Sequence, residues 1–390
     1  MAYSQFTHEE LIDLLWDDSI RPLLLRRYPG AGEQVLRRAH AFAYGGCLMQ
    51  DIGYYPFGKR FFSDLAHYVR SGDFVATLFR DARNIEELAF AIGALSHYIG
   101  DSIGHSQAVN PSTAEDFPRL EQKYGPIVTY EEAPYAHIQT ELGFDVAQTA
   151  FQRYAPNAYR RHIGFRVGRP IMYRAFRDTY GISASGILGP ARSALSTYRW
   201  SVSRLLPAFL RAEVVRFHGK LPAEMKDGPE SEFVKDISHS EYASLYSTPY
   251  AHPGKISHVL AFVITVIPKV GRLKALAPKP PPARTESQFL ESADHAVARL
   301  RKVLDDIAAE GDRPLQLENL DLDTGHRAVP GESKLVDRTY ARLVVRVVQE
   351  HVAVSQELRH ALLDFYSNPQ RRPADPKTEQ ALSVLREERP

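Results

Sequence analysis

The sequence predicts an all-α fold, and three observations carry that reading. Apolar residues recur at three- and four-residue spacing in segment after segment. Strict apolar/polar alternation of strand length is hard to find. Ser/Thr-x-x-Glu/Gln patterns, which cap helix N-termini, stand ahead of two of the periodic runs. Thr7 to Glu10 reads Thr-His-Glu-Glu, with Thr7 as the expected N-cap and Glu10 reaching back, before Leu11, Leu14 and Leu15. Helical periodicity returns over Val35–Met49, Phe61–Val69, Glu86–Ile99, Ala136–Phe151 and Ser193–Phe217. The stretch Ala277–Arg284, Ala-Pro-Lys-Pro-Pro-Pro-Ala-Arg, reads as a stiff extended linker. Thr285–Gln288 then opens another helix with a second capping pattern, followed by helical stretches near Ser333–Glu350 and Ser355–Tyr366. From Asn368 onward the chain is proline-rich and charged, and 368–390 is expected to be a disordered tail. No repeat of solenoid period is evident.

The bulk numbers exclude several classes. A chain of 390 residues with 44% hydrophobic and 24% charged residues buries a substantial core. Its 48 basic and 47 acidic residues leave a formal charge of +1, without the basic excess of a protein that coats nucleic acid. The single cysteine, Cys47, rules out an internal disulfide and reads as a core residue in an apolar helical setting. Met1 to Phe6 lacks the basic and apolar regions of a signal peptide. The longest apolar run, Val259–Ile267, falls short of the roughly 20 residues that span a bilayer.

Chemistry concentrates in the histidines and carboxylates. His97, Asp101 and His105 stand at i, i+4 and i+8, so helical geometry places them roughly on one side. His137 and Glu141 repeat the four-residue step. Imidazole and carboxylate together are the preferred ligand set for zinc, with three protein ligands and an open position at catalytic centres. A lone His-x-x-x-Asp is more often a helix-surface pair, and any one of these histidines could be a core residue bonded to a carbonyl. Several such spacings within a short stretch, among apolar and aromatic neighbours, fit a metal site better.

Thr7-His8, Gln50-Asp51, Ala66-His67, the His97/Asp101/His105 run and His137/Glu141 resemble, in order and approximate spacing, the zinc-dependent phospholipase C family, whose more distant relatives are the S1/P1 nucleases. The stretches 39–46, 50–58 and 62–74 look like a bacterial branch of that family. The resemblance implies a multi-helix phospholipase C/P1 nuclease-like catalytic core over 3–276, with ligands within 8–141. Beyond it would come the linker 277–284, a C-terminal helical segment 285–367 and the tail. It also implies three zincs. Asp51, His67 and His97 would hold the first, and Asp101 would bridge it to a second that also takes His8 and the amine and carbonyl of the first mature residue. Tyr3 or Ala2 is the expected mature terminus, which makes Tyr3 a candidate ligand and points to a secreted or periplasmic protein. His105, His137 and Glu141 would hold the third zinc. The four-residue step from Asp101 to His105 is shorter than in the small bacterial phospholipases and closer to that of the phospholipase D acting on glycosylphosphatidylinositol anchors. His40 has no place in the pattern and reads as a core residue. The C-terminal helices show no concentration of metal ligands and read as a scaffold or surface module.

The mechanism this implies is attack of a zinc-bound hydroxide on a phosphodiester, with Asp51 orienting and deprotonating the water and the zinc of His105 stabilising the leaving alkoxide. Glycerophospholipid head groups are the expected substrate, with Tyr54, Tyr55 and Phe57 as candidate substrate-binding residues. The His258–Lys274 stretch, apolar with a basic end, reads first as a buried helix; the alternative is transient contact with a membrane surface. A single-strand nuclease or 3′-nucleotidase using the same zincs is the competing reading. It is supported by the arginines and aromatics interleaved over 153–177, which otherwise form a solvated helical face with the aromatics turned inward. A non-catalytic zinc module is disfavoured, because structural zinc sites are usually rich in cysteine.

Overall fold

A computed structural model describes residues 3–188, 191–221, 233, 253–311, 313–351, 354–367 and 375–387. Among these residues the regular structure is helical, joined by short π and 3-10 turns, with one isolated β-bridge between Leu320 and Arg327. The all-α expectation holds.

Two helix starts differ from the capping patterns. The first helix runs Gln5–Leu15 with Ser4 as N-cap, so Thr7 lies inside it. Thr7 Oγ1 donates instead to Asp145 at 2.9 Å, and Glu10 Oε2 accepts from the Ala155 amide at 2.9 Å. Both polar side chains bind neighbouring elements, which gives more than a local cap. The long C-terminal helix likewise begins at Ala283, inside the proline-rich stretch, and runs to Glu310. Side-chain N-caps do occur at Asn84 and Ser333, which accept from the Glu87 and Val336 amides.

The centre of the fold is the buried helix Ile85–Gly104. Helix Glu33–Gly46 crosses it at a point where neither chain has room for a side chain. A Cβ on Gly93 would lie 2.1 Å from the Ala43 carbonyl oxygen, and one on Gly46 would lie 2.0 Å from that of Phe90. Helix Ala283–Glu310 packs along another side, burying Phe289, Ala293, Ala296, Val297 and Leu300. One hydrophobic cluster contains residues from both sides of the 277–284 stretch.

Two further expectations are corrected. The region assigned to a disordered tail carries helix Pro376–Glu387, whose Thr378, Ala381, Leu382 and Leu385 are buried, and which packs against helix Lys334–Gln349. Helix Lys255–Val266 is not the buried helix that its apolar run suggests. Ala261 and Ile264 pack toward helix Leu206–Phe217, while Ile256 is 85% exposed and Phe262 67% exposed. The apolar residues go all the way round, and among the described residues the partner lies on the side of Ala261 and Ile264.

The helix crossing yields a stability prediction. A methyl group forced against backbone at Gly93 has no flexible side chain to displace, and overpacking of this kind costs about 1–3 kcal/mol or more. Gly93→Ala is expected to lower the unfolding free energy of the zinc-loaded protein by at least that amount, read as a lower denaturation midpoint. Gly30→Ala, at a position with nothing within 4 Å, should leave it unchanged. Equal midpoints for both variants would show that the helices do not cross this closely.

Candidate metal centre

Helix Ile85–Gly104 sets the spatial logic of the site. Each four-residue step turns about 40° further round a helix and climbs about 6 Å. His97 and Asp101 therefore share a face, whereas His105, two steps on, has turned about 80° and lies about 12 Å along the axis. At His105 the helix also passes into a π turn, His105–Val109. The three residues accordingly serve two separate ligand groups rather than one.

Three sets of ligand atoms come together, all buried: His8 with His97 and Asp101; Asp51 with His67 and His97; and His105 with His137 and Glu141. Asp101 sits between the first two. Its Oδ1 is 3.2 Å from His8 Nε2, and its Oδ2 is 3.3 Å from His67 Nε2 and 3.2 Å from His97 Nε2. One oxygen faces each group, as a bridging carboxylate requires. The third set is held by helix Pro134–Ala150, where His137 Nε2 lies 3.0 Å from Glu141 Oε1. His105 Nε2 lies 3.7 Å from the same oxygen.

The donor set fits zinc. His67 Nδ1 donates to the Ser63 carbonyl at 2.8 Å, His97 Nδ1 to Cys47 at 2.9 Å and His105 Nδ1 to Leu322 at 2.7 Å. A carbonyl partner fixes the proton on Nδ1 and leaves the Nε2 lone pair for a metal. The Nε2 atoms of His67 and His97 then face each other at 3.3 Å. Two lone pairs aimed at one point repel unless a cation lies between them. Both carboxylate oxygens of Asp51 and the Nε2 atoms of His105 and His137 are buried without a hydrogen bond of acceptable geometry, which is costly in an interior and normal for metal ligands.

The electrostatics agree. Burial would raise the Asp101 carboxyl, but His97, His67 and His8 outweigh it and hold the group well below the usual carboxylate range. Burial would lower His67, yet Asp101 and Asp51 push it up to about 10. Burial lowers His8, with His97 adding to the effect. Positive charge is drawn to the point where these side chains converge.

The remaining candidates divide. The Tyr54 ring lies 5.7 Å from that of His67 and 6.3 Å from that of Tyr130, which is itself 5.6 Å from His137. Arg60 lies over both tyrosines, at 5.9 and 5.2 Å. Tyr55 instead packs edge-on against Tyr198, and Phe57 is 72% exposed. Tyr3 is buried, its ring 5.9 Å from His8 and its hydroxyl 2.8 Å from Ser292 Oγ. Met1 and Ala2, and with them the terminal amine, lie outside the described residues.

His40 joins none of the ligand sets. Its Nε2 is 2.8 Å from Asp13 Oδ1 and its ring stacks on Trp16 at 3.8 Å. Burial lowers it to about 3. Cys47 is fully buried, and burial pushes its thiol far up, so its contribution to the site is its carbonyl. Several arginines of the 153–177 stretch are held internally. Arg153 pairs with Glu286, Arg174 with Glu87 at 2.7 Å, and Arg160 lies 3.6 Å over the Phe6 ring. Tyr154, Tyr159 and Phe176 are buried and Phe165 and Tyr173 half-buried, while Arg161, Arg166, Arg169 and Arg177 are exposed, so the aromatics turn inward beneath a solvated basic face.

Sequence reasoning missed one element. The C-terminal segment is not remote from the site: Leu322 accepts from His105 and donates its amide to the His67 carbonyl at 3.1 Å, and Asp323 Oδ1 lies 3.8 Å from His105 Nε2. The available signal was the carboxylate pair Asp321/Asp323 in a non-helical stretch between two helices.

Residues 7–187 match a family model described as zinc dependent phospholipase C. No curated protein and no solved structure matched.

Asp101 is the sharpest test of the ligand assignment, because it faces both groups. Asp101→Asn keeps the volume but removes a negative charge from two ligand sets. Zinc per chain, measured by elemental analysis after dialysis, is expected to fall by at least one equivalent, with turnover down by about a thousandfold or more. Unchanged zinc content and activity would remove Asp101 from the centre.

Proposed function

Because residues 7–187 place the chain in the zinc-dependent phospholipase C family, we propose that it hydrolyses the phosphodiester of membrane glycerophospholipids at a three-zinc centre. The observation that carries this reading is the convergence of three buried histidine–carboxylate sets, two of them sharing His97 and facing Asp101. Zinc held there supplies a water that ionises near neutral pH and positive charge for the phosphate oxygens. The chain's own groups do the rest. Asp51, buried beside His67 and His97, would orient the attacking water and take its proton. The carbonyls of Ser63, Cys47 and Leu322 keep three imidazoles in the ligating tautomer. Tyr54 and Tyr130 line the approach between His67 and His137.

Transient contact with a bilayer belongs to the same proposal. Ile256, Val259, Phe262, Val266 and Val270 are exposed, and Lys255 and Lys274 flank them. No helix among the described residues is long and apolar enough to cross a membrane. Such a face suits the boundary between head groups and acyl chains. It adjoins the ligand helix, since Gln139 donates to the Lys274 carbonyl at 2.6 Å.

A panel of substrates tests the activity. Zinc-loaded protein is expected to cleave phospholipid vesicles and a soluble short-chain phospholipid, and to degrade single-stranded DNA at least tenfold more slowly. The reverse order would replace this reading with a nuclease. Phe262→Glu should lower the vesicle rate about tenfold, from lost burial of one aromatic side chain, and leave the soluble substrate within twofold. Equal losses on both would remove the membrane face.

The terminal amine as a ligand, and with it a secreted or periplasmic location, is proposed because Tyr3 packs against His8. Zinc tolerates little error in ligand distance. Preparations starting at Met1, Ala2 and Tyr3 are therefore expected to differ in bound zinc and activity, with the best value at Ala2 or Tyr3. Identical values across the three would exclude the amine.

A further inference from the structure

The segment 319–328 lies well beyond the part of the chain that matches the family, yet it is built into the metal centre. It closes on itself as a turn, with the Asp321 amide donating to His326 at 2.8 Å and the Gly325 amide to Asp321 at 2.8 Å. Gly325 adopts a positive φ of 71°, and a Cβ there would strike the Ser102 carbonyl oxygen at 2.4 Å, so the turn is seated directly on helix Ile85–Gly104. It is tied down on several sides. Ser71 Oγ donates to the Leu320 carbonyl at 2.7 Å, Asn110 Nδ2 to that of Asp323 at 2.7 Å, and the Leu322 backbone bonds His67 and His105.

This clasp presents one carboxylate to the site. Asp323 is 3% exposed. Its amide donates to Asp321 Oδ1 at 2.9 Å, which holds the backbone, and its Oδ2 accepts from the Tyr68 hydroxyl at 2.7 Å, which holds the carboxylate. The other oxygen, Oδ1, points at His105 and lies 3.8 Å from its Nε2. It is not one of the mutually close atoms of the His105/His137/Glu141 set. It therefore stands beside those three rather than among them, close to the His105 nitrogen that would ligate a zinc, and a three-ligand zinc keeps an open position for a further oxygen.

We propose that Asp323 is a positioning residue of the His105/His137/Glu141 centre: its Oδ1 accepts a hydrogen bond from the water or alcohol oxygen that fills the open position. The C-terminal segment thereby completes a site whose ligands all lie in the family-matched part of the chain. Oδ2 is occupied by Tyr68 and Oδ1 is the oxygen turned toward His105, so a single oxygen would orient whatever a zinc there held. The inference rests on the zinc reading above, and it is independent of which phosphodiester is cleaved.

The test is zinc binding, read by competition with a chromophoric chelator on the full chain. Outer groups that orient a metal site are worth about 10–100-fold in affinity. Asp323→Asn is expected to weaken one of the bound zincs by that factor, the same zinc that His105→Ala removes, and to lower kcat more than it raises KM. Tyr68→Phe leaves the carboxylate but frees its far oxygen, and should give a smaller loss, about threefold to tenfold, in the same zinc. It keeps the inference testable if Asp323→Asn does not fold. Wild-type affinity for every zinc in either folded variant would overturn the role of Asp323. A wild-type chain that binds no zinc at all would instead overturn the metal centre itself, so the two failures are distinguishable.

Discussion

Five ionisable side chains, His8, Asp51, His67, His97 and Asp101, meet in the interior beside helix Ile85–Gly104, and each is shielded from water. Desolvating one such charge costs several kcal/mol when nothing compensates it. Mutual pairing offsets part of that cost, since Asp101 lies within 3.3 Å of three imidazole nitrogens. It cannot offset all of it, because the imidazoles also face one another with their lone pairs. A cation at the convergence point reverses the sign of those contacts. Metal binding and the stability of this region are therefore coupled, and ligand protonation in acid opposes both.

Much of the surrounding architecture follows from holding these groups in place. The crossing at Gly46 and Gly93 brings the end of helix Glu33–Gly46 close enough for the Cys47 carbonyl to reach His97. Gly100 has the same meaning for His8: a Cβ there would stand 3.3 Å from the His8 ring. The helix carrying His8 is in turn anchored through Thr7 and the Phe6 amide, both bonded to Asp145 on the helix that carries His137 and Glu141. Separate ligand groups thus share their supports, and a shift in one element is felt in more than one set.

A comparison within the chain shows what distinguishes a ligand histidine from a core histidine. His40 is as buried as His97. Its Nε2, however, finds Asp13, while burial pushes the Asp13 carboxyl up to about 8 against the opposing Tyr44 hydrogen bonds. His40 is satisfied within its own pair and stacked on Trp16. His67, His97 and His105 instead bond a carbonyl through Nδ1 and turn Nε2 toward other ligands. Burial and residue type are the same in both cases; the direction of one nitrogen differs.

What the sequence determined by itself was the helical class and the candidate ligand pairs His97/Asp101 and His137/Glu141, because both are written in short-range spacing; His8, Asp51 and His67 were expected only from the family resemblance. A four-residue step puts His97 near Asp101 and His137 near Glu141 in any α-helix, and apolar periodicity marks which faces are buried. Helix starts were less legible. Thr7 and Thr285 have capping neighbours yet lie inside their helices: Thr7 Oγ1 donates to Asp145 on another helix, and Thr285 Oγ1 to the Pro282 carbonyl one turn back. The division of the eight candidate ligands into sets was expected from the family resemblance, and the tertiary structure gives its physical cause: the turn accumulated between Asp101 and His105 and the helices that cross there. The tertiary structure decided that the apolar residues of helix Lys255–Val266 face outward, a matter of which neighbours remain after packing. Asp323 was beyond the reach of spacing altogether. Its 3.8 Å approach to His105 joins positions separated by more than half the chain, and only the fold brings such distant residues together.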